Sequence, residues 1–400
     1  KTLGFGATRF HKSLKPKSFL RQPAAAHDVE LDVLFCGVCH SDIHQVQNDW
    51  ENTVYPCVPG HEIVGRIARV GSAVQNFKVG DLAAVGCITD SCGVCHSCQG
   101  GVEQYCESET GMLGTYNGPL STTGQNTYGG YSNHFVIKEN FLLRLPEGLS
   151  AQDAAPLLCA GVTTYSPLKH WGVKPGMKVG IAGMGGLGHV AVKIAVAMGA
   201  EVTVISTSED KKADALHFGA KHFVLVTEKE EVSKASRSLD LILNTIPYKH
   251  DLDPYLELLH RDAVLVLVGV LMPMGSWNPQ KVIMQRQTIA GSLIGGIAET
   301  QEMLEFCAKH GVKPEVEMIG VQDINEAYTK IKDKKARYRF VIDLSSIARE
   351  NENSFDEIEG VSHILDLSKP AKMPVPKIHS GEDRMELTPA WDVPAGVEML

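Results

Sequence analysis

Lys178-Val-Gly-Ile-Ala-Gly183-Met-Gly185-Gly186-Leu187-Gly188 decides how this chain is read. Lys178 to Ala182 is a short apolar run bounded by turn residues, which predicts a buried strand. Leu187 to Met198 then shows helical periodicity. The glycines between them permit a tight turn and let a pyrophosphate approach the N-terminus of a helix. Alone, the pattern also fits a plain helix-start loop. Between a strand and a helix it is a dinucleotide fingerprint.

Downstream, the same alternation continues. Glu201 to Ile205 reads as a strand, Lys211 to Phe218 as a helix, and Leu239 to Leu243 and Ala263 to Val268 as buried strands. Strand and helix in turn over about 120 residues predict an α/β fold, a parallel sheet with helices on both faces. Upstream, residues 28–150 have another texture. Short β-branched runs such as Val29 to Cys36 and Glu62 to Val70 alternate with turn residues, which predicts a β-rich domain. A helix at Thr300 to His310 and a last strand at Arg339 to Asp343 follow the parallel sheet. Ser345 to Leu400 holds eleven acidic and five basic residues and five prolines, with little periodicity. It reads as a loosely ordered acidic tail.

A chain of 400 residues exceeds what one core usually serves, so two domains are expected. The net charge of −9 and the lack of a basic stripe argue against nucleic acid or an anionic membrane as partner. No apolar run approaches the roughly 20 residues that span a membrane. Lys1-Thr-Leu-Gly-Phe-Gly6 has no signal-like stretch, and the missing first Met reads as a trimmed start.

Ten cysteines do not read as a secreted disulfide scaffold, because they cluster as metal ligands do. A reducing cytoplasm fits. Cys92-x2-Cys95-x2-Cys98-x7-Cys106 sets four thiols within fifteen residues, a spacing that suits one tetrahedral zinc. An iron–sulfur cluster competes for that spacing; paired disulfides or free thiols are the bland alternative. The Gly-rich loop has no core of its own, so the metal would hold its fold. Cys39 in Gly37-Val-Cys-His-Ser-Asp42, His61 in Pro59-Gly-His-Glu62 and Cys159 in Ala154-Ala-Pro-Leu-Leu-Cys159 supply the N/S donors of a catalytic zinc with one open position. Singly, each is more often a core residue. Cys36, Cys57, Cys87 and Cys307 remain as small buried thiols.

These motifs, with Leu158-Cys-Ala-Gly-Val-Thr163-Thr-Tyr165 and Gly291-Ser-Leu-Ile-Gly-Gly296, resemble the zinc-containing medium-chain alcohol dehydrogenases, in their cinnamyl alcohol dehydrogenase-like branch. The resemblance covers about residues 1–345. It implies a GroES-like β-rich catalytic domain and a Rossmann nucleotide-binding domain. The expected divisions are 1–156 and 295–345 for the first, 157–294 for the second and 346–400 for the tail. It implies two zinc ions per subunit. The catalytic one is held by Cys39, His61 and Cys159, with Glu62 able to approach it or to remain a carboxylate nearby. Ser41 and His44 become a proton relay through the cofactor ribose to the surface, and His40 lines the cofactor phosphate.

The second strand ends Ser206-Thr207-Ser208-Glu-Asp-Lys211. Small hydroxyls and a lysine there suit the 2′-phosphate of NADP, whereas an acid would suit NAD. Glu209 and Asp210 follow closely. By resemblance Gly183, Gly185, Gly186, Leu187, Gly188, Thr163, Thr245, Gly269 and Ser292 to Ile294 line the cofactor. Gln287 to Ile294 is an apolar stretch that in this family pairs across a two-fold axis, so a homodimer is expected. Trp50 would wall an aromatic pocket or simply pack in a surface loop.

The lignin-forming plant members carry an aromatic residue soon after the last structural cysteine. Here Ser108-Glu-Thr-Gly-Met-Leu113 stands there, before a Gly-rich loop that runs to Tyr131. That favours a broad-range aldehyde reductase, acting on aromatic aldehydes such as cinnamaldehyde among others and interconverting them with primary alcohols. The rivals are an NAD-linked polyol or secondary-alcohol enzyme and an inactive protein that keeps the fold. A retired fold could lose one of Cys39, His61 and Cys159; this chain keeps all three.

Overall fold

The computed structural model describes residues 1–10, 12–118, 127–269 and 273–358. Six strands form a wholly parallel sheet. Across the sheet they run His222–Leu225, Glu201–Ser206, Lys178–Ala182, Leu239–Asn244, Leu259–Leu267 and Thr288–Gly291. In chain order this is 3-2-1-4-5-6, the doubly wound dinucleotide topology. The strand order reverses between Lys178–Ala182 and Leu239–Asn244, so a crevice opens beyond their carboxyl ends.

The central strands are apolar and buried over Val179–Ala182 and Leu241–Leu243, because both faces are covered there. The helix Gly188–Ala197 turns Val190, Ala191, Ile194 and Ala195 onto the core that holds Val179, Ile181 and Val204. Truncating Ile194 to Ala there would cost roughly 2–5 kcal/mol.

The second sheet has seven strands and mixes early and late sequence. Val316–Gly320 and Arg339–Asp343 pair with each other, and the latter runs antiparallel to Asp28–Gly37, with Val341 opposite Gly37. Asp28–Gly37 pairs in turn with Ile63–Val70 and with His134–Lys138. The chain therefore leaves this sheet, builds the parallel one and returns.

The acidic segment departs from expectation at its start. Leu344–Arg349 forms a 3₁₀ turn that buries Ser346 and Ile347. Asp356–Glu357 adds a strand beside Lys15–Phe19, where Lys17 Nζ meets Asp356 Oδ2 at 2.7 Å. Burial of Leu344, Ile347 and Ile358 and one ion pair seat this stretch on a sheet edge, which the charge count hid. Residues 359–400 of the expected tail lie outside the described residues. No helix among the described residues is long and apolar enough to cross a membrane.

Candidate active site

Cys39 is the extended residue that caps the helix His40–Gln47, and its N–H donates to Asp42 Oδ2 at 2.9 Å. His61 and Glu62 lead into the strand Ile63–Val70 behind Gly60. At Gly60 φ is +106°, and a Cβ would strike the Tyr131 ring at 2.6 Å. Cys159 sits in the π-helical turn Leu157–Gly161, which joins two α-helices. Such widened turns often mark functional positions, since they re-aim one side chain. Three distant segments thus bring Cys39, His61, Glu62 and Cys159 together, all buried, with ligand atoms within 4.8 Å of one another.

Two thiolates on one tetrahedral zinc, each at about 2.3 Å, stand about 3.8 Å apart. Cys39 Sγ and Cys159 Sγ are 3.8 Å apart. Contact with Cys159 is the main influence that holds the Cys39 thiol well below its usual range. His61 Nδ1 lies 3.1 Å from Asp42 Oδ1. A carboxylate only accepts, so Nδ1 carries the proton and Nε2 keeps its lone pair for a metal. Asp42 also accepts from Gly60 N at 3.0 Å and Tyr131 Oη at 3.1 Å. A fully buried carboxylate is tolerable with that many donors.

Glu62 is bound on one side only. Its Oε1 accepts from Arg339, while Oε2 has no partner among the described residues. A Cβ at Gly37 would fall 1.9 Å from that oxygen, so residue 37 has no room for a side chain. Burial pushes the Glu62 carboxyl up to about 8, against the pull of Arg339. Arg339 is buried too, and a Cβ on Gly186 would lie 3.0 Å from its Nη1. One guanidinium thus stands between the metal cluster and the glycine turn.

That turn is shaped for a close ligand. Gly183 has φ +90°, and a Cβ on Gly188 would sit 2.0 Å from Gly183 O. A Cβ on Gly185 would meet nothing within 4 Å among the described residues, so this side stays open to a pyrophosphate. Thr245 Oγ1 donates to Ala182 O at 2.9 Å, and Gly269 packs so tightly on Thr245 that a Cβ would lie 2.4 Å from it. Leu187 packs into the core below. Thr163 is buried, and its Oγ1 has no partner among the described residues. Ser292 N donates to Leu267 O at 3.1 Å, and Ile294 packs on the cores of both sheets. Ser206 Oγ accepts from Ser208 N at 3.2 Å; Thr207 and Ser208 are exposed, and Lys211 is partly buried beside the Tyr338 ring.

Ser41 Oγ lies 3.7 Å from Cys39 Sγ. His44 Nδ1 is 2.7 Å from Asp49 Oδ2, and its ring is 5.1 Å from His40 and 5.6 Å from Trp50. Burial, then the neighbouring His44, lowers the pKa of His40. Trp50 therefore packs on His44. An aromatic ring that does pack beside a cluster residue is Tyr116, 5.4 Å from the His61 ring. This ring lies beyond the Ser108–Leu113 stretch on which the sequence reading rested. The loop folds back through Leu113–Gly114, which pairs with Ile88–Asp90, and so delivers a residue ten positions past Cys106.

Cys92, Cys95, Cys98 and Cys106 also converge within 4.8 Å, with Cys92 and Cys98 sulfurs 3.8 Å apart. That spacing suits one ion; a cluster with its own iron and sulfide atoms needs its thiolates further apart. All ten cysteines are unpaired in the structure. Of the four spare thiols, Cys36, Cys57 and Cys307 are buried as expected, but Cys87 is only half-buried, its Sγ 3.7 Å from Leu158 O. The lobe reaches across the molecule. Tyr105 Oη accepts from Leu293 N at 3.0 Å and Glu103 Oε2 from Ile297 N at 3.1 Å.

Asp42, Arg339, Tyr116 and His189 were not singled out from sequence. His189 Nδ1 lies 3.2 Å from Gly185 O, while Nε2 accepts from Glu315 N at 3.1 Å. Burial pushes its pKa down to about 3, so it fastens the glycine turn as a neutral ring. A lone Arg opening an apolar strand, and an Asp three residues into a capped helix, were the available signals for Arg339 and Asp42.

A parallel sheet with a phosphate-sized turn, joined to a sheet that buries a Cys, His, Cys and Glu cluster, defines a metal-dependent nucleotide-linked dehydrogenase. Residues 25–147 match the alcohol dehydrogenase GroES-like domain, and residues 186–309 match the zinc-binding dehydrogenase domain. The NADP-dependent alcohol dehydrogenase C 1 of Mycolicibacterium smegmatis is 49% identical over 343 residues, 86% of this chain and 98% of the relative. The aldehyde reductase YahK of Escherichia coli is 48% identical over 342 residues, 84% and 97%. Among solved structures, a cinnamyl alcohol dehydrogenase from Sorghum bicolor superposes with a TM-score of 0.83 at 40% identity, covering 86% of this chain and 98% of its own. The chain belongs to the zinc-binding alcohol dehydrogenase family and is an oxidoreductase that interconverts alcohols and aldehydes.

Proposed function

We propose that this chain is an NADP(H)-linked reductase of broad aldehyde range, aromatic aldehydes included, with two zinc ions per subunit. The observation that carries this reading is the buried cluster of Cys39, His61 and Cys159 within reach of the same Arg339 that touches the glycine turn. Zinc there supplies Lewis-acid polarisation of a carbonyl oxygen, and the dihydronicotinamide supplies hydride. Asp42 fixes the His61 tautomer. Ser41 donates the proton that the product oxygen needs, and His44, partly buried and held by Asp49, replenishes it.

Tyr116 against His61 supports a pocket that accepts a ring. Ser206, Thr207, Ser208 and Lys211 support NADP, as does the cofactor in the M. smegmatis relative's name. Strands 178–291 in one sheet, and 28–144 with 316–343 in the other, support divisions at 1–156, 157–294 and 295–345. Thr288–Gly291, at the edge of the parallel sheet, supports pairing into a homodimer. Ten free thiols support a reducing cytoplasm.

The test is the oxidation of NADPH and NADH, in parallel, by cinnamaldehyde and an aliphatic aldehyde, with and without a chelator. Chelator-sensitive turnover with NADPH is expected. Turnover with NADH alone, or chelator-resistant turnover, would overturn the cofactor or the metal assignment respectively.

A further inference from the structure

Beyond the serines and Lys211, a second cation from the other half of the chain stands at the place expected for the adenosine 2′-phosphate. Arg337 lies just before the strand Arg339–Asp343, in the segment that returns to the seven-stranded sheet. Its guanidinium crosses to the nucleotide-binding half. Nη1 is 2.6 Å from Asp214 Oδ2, and Nη2 is 3.3 Å from Asp210 Oδ2. The two carboxylates differ. Asp214 also accepts from the Tyr338 hydroxyl, so it is fixed twice. Asp210 is half-exposed, and its other oxygen accepts from Ser208 Oγ. Asp210 therefore takes up donors of two groups, Ser208 and Arg337, that a phosphate there would use.

Lys211 stands in the same field. Its ammonium is 5.3 Å from the centre of the Tyr338 ring. Its pKa is lowered by burial first and by the charge of Arg337 second, while Asp210 and Asp214 oppose that lowering. Glu209 turns to Lys212 at 3.7 Å. Two cations thus converge from the two halves; Arg337 is held closer by Asp214 than by Asp210, the more exposed of the two carboxylates.

We propose that Arg337 is a specificity residue for the cofactor's 2′-phosphate, reaching it from the catalytic half, and that Asp210 opposes it by occupying the same donors. The inference rests on the NADP reading above. A phosphate that displaces Asp210 gains one N–H of a planar guanidinium and the Ser208 hydroxyl, both charge-assisted. A ribose hydroxyl offers no charge to Arg337 and instead finds Asp210 as an acceptor, the role an acid plays in NAD enzymes. The balance of Arg337 and Asp210 then sets how much NADH the protein tolerates.

The test is calorimetric binding of adenosine 2′,5′-bisphosphate and of 5′-AMP to the zinc-loaded full chain. Arg337→Gln should weaken the bisphosphate about tenfold, the size of one charge-assisted hydrogen bond at a half-exposed site, and leave 5′-AMP within about twofold. Arg337→Lys should recover part of the loss. Asp210→Asn should tighten the bisphosphate about threefold or more, since one opposing charge is gone. Lys211→Ala reports on the underlying reading. If the unmodified protein shows no preference for the bisphosphate and Lys211→Ala changes nothing, the NADP reading itself fails. If Lys211→Ala erases a clear preference while Arg337→Gln weakens both ligands equally or neither, Arg337 is only a latch between the halves and the proposal is overturned. Failure of Asp210→Asn to tighten binding overturns its opposing role.

Discussion

The two thiol-containing clusters are built in opposite ways. The four-cysteine lobe takes all its ligands from fifteen consecutive residues and leaves most of them partly exposed. Short-range geometry suffices there. Cys95 N–H donates to Cys92 Sγ and Cys98 N–H to Cys95 Sγ, each at 3.4 Å, and Glu107 N–H is the main influence that lowers the Cys95 thiol's pKa. The buried cluster takes ligands 120 residues apart, from a helix cap, a strand entrance and a π turn. It is positioned by packing; Asp42, which orients His61, comes from the helix that Cys39 caps, while Tyr131 and Arg339 come from still other segments. The lobe's geometry is thus set within one loop, and the buried cluster's by the packing of distant segments.

That contrast can be broken at either end. The largest expected effect is from Cys159→Ala. Turnover should fall at least about a thousandfold, because several kcal/mol of carbonyl polarisation go with the ligand, while the melting temperature stays near that of the parent and metal analysis shows one zinc fewer per chain. Turnover that survives would remove zinc from the chemistry. Cys95→Ser should do the reverse. Hydrogen exchange should rise in residues 92–106 and, through Tyr105 and Glu103, in 293–297, with stability down by a few kcal/mol and activity falling only as the cofactor loop loosens. Unchanged exchange at 293–297 would uncouple the lobe from that loop.

Two smaller effects sharpen the comparison. Asp42→Asn keeps every first ligand but removes the charged partner of His61. Zinc affinity at the buried site should drop about 10–100-fold, as for other orienting carboxylates, with the lobe's zinc untouched; titration with a competing chelator separates the two. Tyr116→Ala should raise KM for cinnamaldehyde about tenfold, the value of one ring contact, and barely change it for a short aliphatic aldehyde. An equal rise for both would place Tyr116 in structure alone.

What the sequence determined by itself is what short segments encode. The strand and helix around Gly183 to Gly188 were readable because burial on both faces leaves an apolar run and a tight turn needs glycine. The four-cysteine spacing was readable because one loop carries all four ligands, and the Cys39, His61 and Cys159 motifs because their neighbours resemble a family. The tertiary structure alone decided the rest. The return of Arg339–Asp343 beside Asp28–Gly37 puts Arg339 against Glu62, 277 residues away in the chain. A loop folded back on Ile88–Asp90 brings Tyr116 to His61, and the segment before Arg339 carries Arg337 across to Asp210 and Asp214. Periodicity and spacing report on neighbours in sequence. A buried charge finds its counter-charge wherever the folded backbone brings one, and that is set by sheet topology.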